Sequence, residues 1–336
     1  MKNKKLLSIV DIARLAGVST ATVSHVINNS GRFSAETKEK VMKVIEEHGF
    51  VSNNAARSLK SSSSHTIGLI LPNINNDFFS SIAVTIEQFF DYHDYSLFIC
   101  NTDNDPQKER RYFRRLDSMR VDGIIVISCQ KRIESDVISR SIPIVLLDRV
   151  PENDLNLCVV TSDAMDGIYQ STSSLIAKGC RSIIFLSSYL ATYVKTNRSD
   201  GYVKAMHEHG LSSRLHIIQL GSGPSIVQSE TSVYNYIAQG NKVDGIICTS
   251  DNQAIGAMEA VKRLGLRVPE DVKVFGFDNQ LQSRICTPSL STIERSPSSM
   301  GRIASEVLMN LIRNKPVSKK TVLNCSLVHR ESTASL

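Results

Sequence analysis

Tryptophan is absent from the 336 residues and only 6% of them are aromatic, so the largest stacking platform for a flat ligand is missing. The seven cysteines (Cys100, Cys129, Cys158, Cys180, Cys248, Cys286, Cys325) form no CxxC pair and no Cys/His group with zinc spacing. They read as buried thiols in a reducing cytosol, and the expected location is the cytoplasm. The eight histidines are dispersed, and neither GxSxG nor HExxH occurs. GSGPSI at Gly221 has two glycines of a dinucleotide fingerprint and a proline where the helix should begin. No catalytic residue, metal or cofactor is therefore expected, and the chain is read as not an enzyme. Long apolar runs are also lacking. MKNKKLLSIV starts like an export signal, but Asp11 and Arg14 interrupt it before a signal-length or membrane-length segment forms, so neither export nor a membrane span is expected.

What the chain does have is an informative N-terminus. Ser8 with Asp11 three residues on is a capping box, and Ile9, Ile12, Ala13 and Ala16 then share one helical face. Gly17 ends that helix and Ser19 is a ready N-cap for the next. In the second helix Val23, Val26 and Ile27 share one side, while Ala21, Ser24, His25 and Asn28 make a small polar face opposite. Two short helices across a tight turn, the second presenting small hydrogen-bonding side chains, fit the helix-turn-helix that enters the major groove. An ordinary helical hairpin on a larger core is the plain alternative. Charge weighs against it, because residues 1 to 60 hold ten Lys and Arg against five acids, an excess of five out of the chain's formal +6. A basic excess confined to the groove-sized segment is what attraction to phosphates requires. Ser34 caps a third helix with Thr37, Val41, Val44 and Ile45 inward, and Gly49 stops it. NNAARSL at 53 to 59 is helix-forming in composition but too short to hold alone, and the serines 61 to 64 behind it read as a flexible linker.

From Thr66 the pattern becomes apolar strands alternating with amphipathic helices. TIGLILP, YSLFICN, VDGIIVIS, IPIVLLD, CVVTS, RSIIFLSS, HIIQL, VDGIICTS and VKVFGFD are near-continuous apolar runs, which indicates strands buried on both faces in parallel sheets covered by helices. VDGII recurs at Val121 and Val243, as two similarly built α/β halves would show it, or as coincidence between common strand sequences would. A cleft at the strand carboxyl ends of two facing sheets is the default place for a small ligand.

With these residues in view, the chain resembles the lactose-repressor (LacI) type family of bacterial transcription regulators from about Ile9 to Thr333. The motifs are DIARLAGVSTATVSHVIN for the helix-turn-helix, NNAARSL for a hinge helix, and TIGLILPNINNDFF opening the core. NRSDGY, CTSDNQAIGAMEA, VFGFDN, TPSLSTI and HREST follow in order. The resemblance implies an α/β protein with an N-terminal helix-turn-helix module at 1–52, a hinge helix and linker at 53–64, and a two-lobed periplasmic-binding-protein-like core at 65–336. It implies lobes of about 65–161 with 292–324, and 162–291 with 325–336. It further implies a homodimer on a near-palindromic double-stranded DNA operator, probing it with an affinity set by a small-molecule effector between the lobes. His25 stands where the family usually has arginine, and Ser52 and Asp77 where it usually has proline.

On that footing Thr20, Ala21 and His25 are expected at base edges and Ser19, Ser24 and Asn28 at phosphates, with Thr22 and Arg57 completing the set and Leu59 as a minor-groove wedge. No apolar heptad run follows His329, so the assembly is expected to stop at the dimer. The effector pocket is placed at Asp77, Phe78, Arg198, Asp251 and Asp278, with Arg149 and Asn101 beside them. Phe78 has the alternative of being the first core residue of its helix, and Asp251 of being only a helix cap. Carboxylates, a guanidinium and an aromatic ring suit a polar ring-shaped ligand, a sugar or sugar phosphate first and a nucleobase second. A solute-binding protein with the same two-lobed core would need an export signal and no basic helical module.

Overall fold

The structure is a computed structural model describing residues 7–27, 30–48, 63–134, 142–153, 156–188, 193–221 and 225–334, the side chains of 193–197 excepted. Asn28, Gly49, Ser52, Arg57, Leu59 and the NNAARSL segment lie outside the described residues. The chain divides into two compact units, Met1–Ser64 and His65–Leu336.

The first unit holds helices α1 (Ile9–Ala16), α2 (Thr20–Ile27) and α3 (Ala35–His48). Each starts on a serine. Ser8 forms the full capping box, its Oγ accepting from Asp11 N while the Asp11 carboxylate accepts from Ser8 N at 2.9 Å. Ser19 Oγ accepts from Thr22 N, and Ser34 Oγ from Thr37 N, both at 3.1 Å. Gly17 takes the left-handed conformation, φ +67, that closes α1. Ile12, Ala13, Val23, Val26 and Val41 are buried together, with Val44, Ile45 and the unforeseen Phe33 packed around them. Ile9, expected inward, is 36% exposed. In a helix of two turns the seam is filled by Ile12 and Ala13, and the first turn stands clear of it.

The second unit is two lobes, each a six-stranded sheet. The first sheet runs β11-β5-β4-β3-β1-β2 and the second β12-β10-β9-β8-β6-β7. In the first, β1 is Thr66–Leu71, β2 Ser96–Asn101, β3 Gly123–Val126, β4 Ile144–Leu147, β5 Cys158–Ser162 and β11 Lys320–Leu323, all parallel. In the second, β6 is Ile183–Ser187, β7 His216–Gln219, β8 Gly245–Cys248, β9 Lys273–Phe277 and β10 Ser291–Glu294, with β12 (Ser326–Val328) antiparallel to β10 at the edge. Helices α4 (Asp77–Asp91) and α11 (Pro297–Ile312) share one apolar cluster with the first sheet, and α5 (Pro106–Ser118) covers its other face. On the second sheet α6 (Ala164–Ala177) and α7 (Tyr193–Glu208) lie on one face, and α8 (Ser225–Ala238) and α9 (Asp251–Arg263) on the other. A short helix α10, Leu281–Ile285, follows β9.

The repeated VDG has one structural use in both lobes. Asp122 accepts from His65 N at the start of β1, and Asp244 accepts from Arg181 N and Ser182 N ahead of β6. Each aspartate thus takes up backbone donors at the end of the strand next to its own. The following glycine leaves room for a neighbour, Leu308 over Gly123 and Leu175 with Ile183 over Gly245. The chain passes between lobes after β5, after β10 and after β11. The second passage was expected at Thr292. Ser291–Glu294 instead pairs with β9 and β12, so it belongs to the second lobe and the passage follows at Arg295 and Ser296.

Candidate functional site

In the first unit the side of α2 opposite Val23 and Val26 is open. Ser19, Thr20, Ala21 and His25 are exposed, and Thr22 and Ser24 are half-buried. Ser19 Oγ and Thr22 Oγ1 lie 2.9 Å apart and share a hydrogen bond. The His25 ring packs against Gly31, whose φ of +81 and missing Cβ make room for it: a Cβ there would lie 2.8 Å from His25 Nδ1. That contact fixes the ring near the end of α2, on the same side as Ala21.

In the second unit the carboxyl ends of both sheets bring charged side chains together around a residue the sequence reading missed. Arg295, on the passage between β10 and α11, is 2% exposed. It pairs with Asp148, which follows β4 in the first lobe, and with Asp278, which follows β9 in the second. Its Nη2 is 2.7 Å and its Nε 2.9 Å from Asp278 Oδ1. The guanidinium lies 3.7 Å from the ring centre of Phe78 on α4 and 5.0 Å from that of Phe277 on β9. One side chain therefore contacts an acid and an aromatic ring from each lobe. Burial works against its charge, but Asp148 and Asp278 outweigh burial and its pKa is raised.

Asp77, Phe78 and Asp278 line a cleft of about 510 Å³ between the lobes, with Ser81, Arg284 and Glu294 among the other walls. Phe78 is both core and site, 2% exposed under the Arg295 guanidinium. Asn76 caps α4 by accepting from Phe78 N at 2.9 Å, and its Oδ1 also accepts from Gln280 Nε2 of the other lobe at 3.3 Å.

The remaining expected residues are differently engaged. Arg198 is 6% exposed, donates from Nη1 to the Thr249 carbonyl at 2.6 Å and lies 3.8 Å over the Phe277 ring. Burial and then the Arg295 charge hold its pKa down to about 10, against the pull of Asp278 and Asp148. Arg149 donates to Asn104 Oδ1 at 3.2 Å and sits over Phe79, and burial lowers its pKa too. Asp251 is fully buried; its carboxylate accepts from Thr292 Oγ1 and, at 2.6 Å, from Gln280 N, and so ties the turn after β9 to β10. The cap of α9 is Ser250, not Asp251. Asn101 accepts from Ile74 N and donates to Asp103, bracing a loop of the first lobe. Asp148 could have been found from the sequence, since VLLD ends an apolar run in an acid as VFGFD does at Asp278. Arg295 carries no such signal, because its partners lie on two other strands.

Among the described residues no group of three or more His, Cys, Asp or Glu could hold a metal ion, and no helix is long and apolar enough to cross a membrane. The model of bacterial regulatory proteins of the lacI family matches residues 8–53, and that of periplasmic binding proteins and the sugar binding domain of the LacI family matches 64–331. The chain is 35% identical over 329 residues to the HTH-type transcriptional regulator RegA of Clostridium saccharobutylicum, covering 97% of this chain and 99% of that one. It is 33% identical to the ribose operon repressor of Haemophilus influenzae, covering 98% of this chain and 100% of that protein. The crystal structure of the lac repressor dimer bound to operator and the anti-inducer ONPF superposes with a TM-score of 0.89 at 23% identity, over 98% of this chain and 100% of that one, a likeness of fold. The chain belongs to the LacI family of bacterial regulatory proteins and is a DNA-binding transcription regulator with an effector-binding core, not an enzyme.

Proposed function

We propose that the protein is a cytoplasmic repressor that binds a near-palindromic operator as a homodimer and is controlled by a small polar effector between its lobes. The observation that carries the reading is the position of Arg295, which joins acids of both lobes beside the cleft. A ligand entering that cleft acts on the contact that fixes the two lobes to each other. Such a ligand shifts operator affinity by the difference in its own affinity for the two lobe arrangements.

A sugar or sugar phosphate is the favoured effector, with a nucleobase second. Asp77, Asp278, Glu294 and Ser81 offer acceptors to hydroxyl groups around a ring, and a ribose operon repressor is among the relatives. On the DNA side, Thr20, Ala21 and His25 read base edges from the open side of α2, while Ser19, Ser24 and Asn28 hold phosphates and Thr22 completes the DNA-binding set. Arg57 and Leu59 act at the hinge, the leucine as a wedge in the minor groove. Operator symmetry mirrors protein symmetry, so one small reading head needs a second.

Gel shift on genomic fragments, repeated with sugars, sugar phosphates and nucleobases that raise the melting temperature of the protein, tests the proposal. It expects a retarded fragment whose shift changes with a stabilising ligand. Retarded fragments that no stabilising ligand affects would contradict effector control.

A further inference from the structure

The linker enters the core at the amino end of the first sheet. His65 N donates to the Asp122 carboxylate at 3.0 Å and Asp122 N to the Thr66 carbonyl at 2.8 Å, so the entry point is pinned between β1 and β3. All six strands of this sheet are parallel, and the turns leading into them share that end. Two of these turns are basic. Arg120 stands between α5 and β3, two residues before Asp122, and Arg313, Lys315, Lys319 and Lys320 span the turn from α11 into β11, where residues 313–320 hold no acid. All five cations are exposed.

The two ends of the sheet differ in how their cations are engaged. At the carboxyl end Lys108 pairs with Asp103, Arg110 with Glu134 and Lys131 with Glu152. At the amino end Arg120, Arg313, Lys315 and Lys320 form no ion pair with a described residue, and Lys319 donates to the carbonyl and the amide oxygen of Asn156, both uncharged. A cation just past a helix carboxyl end offsets the helix dipole, which accounts for Arg120 after α5 and Arg313 after α11. That effect is confined to the last turn, so it does not account for Lys315, Lys319 and Lys320. The chain from Lys60 to His65 spans at most about 17 Å, and neighbouring strands are about 4.8 Å apart. Arg120 is thus one strand spacing from the entry point and the α11–β11 turn four. A duplex held at the hinge is thereby kept within a few Debye lengths of the rim, each about 10 Å at 0.1 M salt, at the high effective concentration of a short tether.

We propose that this basic rim of the core, Arg120 with Arg313, Lys315, Lys319 and Lys320, is a second DNA contact, which binds phosphates of the duplex that the helix-turn-helix unit holds and reads no sequence. Phosphate contacts add affinity and salt dependence without base preference, so the rim strengthens binding to every sequence alike. This inference rests on the proposal that Arg57 and Leu59 lie on the DNA.

The test is the affinity of the full chain, by fluorescence anisotropy between about 50 and 200 mM sodium chloride, for a duplex enriched in operator selection and for one of scrambled sequence. Wild type is compared with Arg313→Gln plus Lys315→Gln, with Arg120→Gln, and with Lys108→Gln plus Lys131→Gln as a control that removes the same charge at the opposite end of the sheet. Each phosphate contact contributes about 0.9 to the slope of log affinity against log salt. One residue acting in both subunits of a dimer therefore contributes about 1.8, and its removal should shrink the loss of affinity over that salt range by about tenfold. A shallower slope in either rim variant, equal on both duplexes and absent from the control, is the expected result. Wild-type slopes in both rim variants would overturn the inference, as would be found if the rim served an acidic protein or only the helix ends. A control that changes as much as the rim variants would overturn it too, since net charge alone would then set the slope. A rim effect on both duplexes in a protein that prefers neither would count against the operator proposal and leave this inference standing.

Discussion

The Arg295 guanidinium lies 3.7 Å over the ring of Phe78, so the segment passing from the second lobe to the first is anchored on the first helix of the core. Both ends of the contact are buried, and Asp148 and Asp278 are 5% and 8% exposed. Removing the arginine leaves two buried carboxylates without a counter-charge. Arg295→Ala should cost on the order of 3–5 kcal/mol in urea unfolding of the core. Adding Asp148→Asn and Asp278→Asn to the same chain should restore most of it, because the penalty comes from the acids left behind. A triple variant as unstable as the single one would show that packing on Phe78, not charge, is what the arginine supplies.

Helices α8 and α9 approach closely at Gly256, where a Cβ would overlap the Ile226 carbonyl oxygen and the Ser229 hydroxyl. A backbone carbonyl cannot swing away as a side chain can. Gly256→Ala should therefore destabilise the core by about 1–2 kcal/mol, overpacking of ~1–3 kcal/mol outweighing the ~1 kcal/mol that alanine gains in a helix. Chemical denaturation checks it, and a gain in stability would mean that the two helices part freely.

Burial pushes the Asp251 carboxyl from 3.8 up to about 7; the Asp278 charge adds to this, while bonds from Thr292 and Gln280 oppose it. A group with a raised folded pKa keeps its proton longer in the folded chain than in the unfolded one. Its stabilising effect is complete below pH about 4, falls between about 4 and 7, and is gone above. Stability should then drop by on the order of 2–3 kcal/mol from pH 5 to pH 8 through this group alone. Asp251→Asn, which cannot ionise, should flatten that part of the profile. Parallel profiles for the two proteins, measured by thermal unfolding across this range, would show that Asp251 is ionised throughout.

Burial raises the thiols of Cys100 and Cys180 to about 11 and that of Cys129 to about 12. Thiolate is the reactive form, so native protein at pH 8 should react with a disulfide reagent far more slowly at these three than unfolded protein does. Mass spectrometry of the labelled chain reads the sites. Labelling of Cys100, Cys129 and Cys180 at the unfolded rate would contradict the packing.

Nine strands could be read directly from their unbroken apolar runs; seven are covered on both faces, while the edge strands β2 and β7 keep apolar sequences although they are partly exposed. Strands β10, β11 and β12 left none. In β10, Ser291 and Thr292 are buried through hydrogen bonds, Ser291 to Thr333 at 2.7 Å and Thr292 to Asp251, so polarity along the chain hides their burial. Strands β11 and β12 are sheet edges with partly exposed residues. The misplaced passage at Thr292 has the same cause. In the site, Asp278 and Phe78 were legible from the strand end and helix start they occupy. The pairing of Arg295 with Asp148 spans 147 residues and two lobes, and no local pattern encodes a contact of that kind. Asp251 was read for its charge, whereas the fold uses it as a buried acceptor.

Operator selection from random DNA, with the wild type and with His25→Arg, tests most directly that α2 reads an operator. Histidine cannot make the bidentate contact of arginine to guanine, so it should give up part of the ~1 to 3 kcal/mol of discrimination that such a contact supplies. The expected result is a near-palindromic sequence enriched by both proteins, with one symmetric pair of positions relaxed in the wild type and fixed as guanine by the variant. Identical preferences at every position, or no enriched sequence at all, would contradict the account.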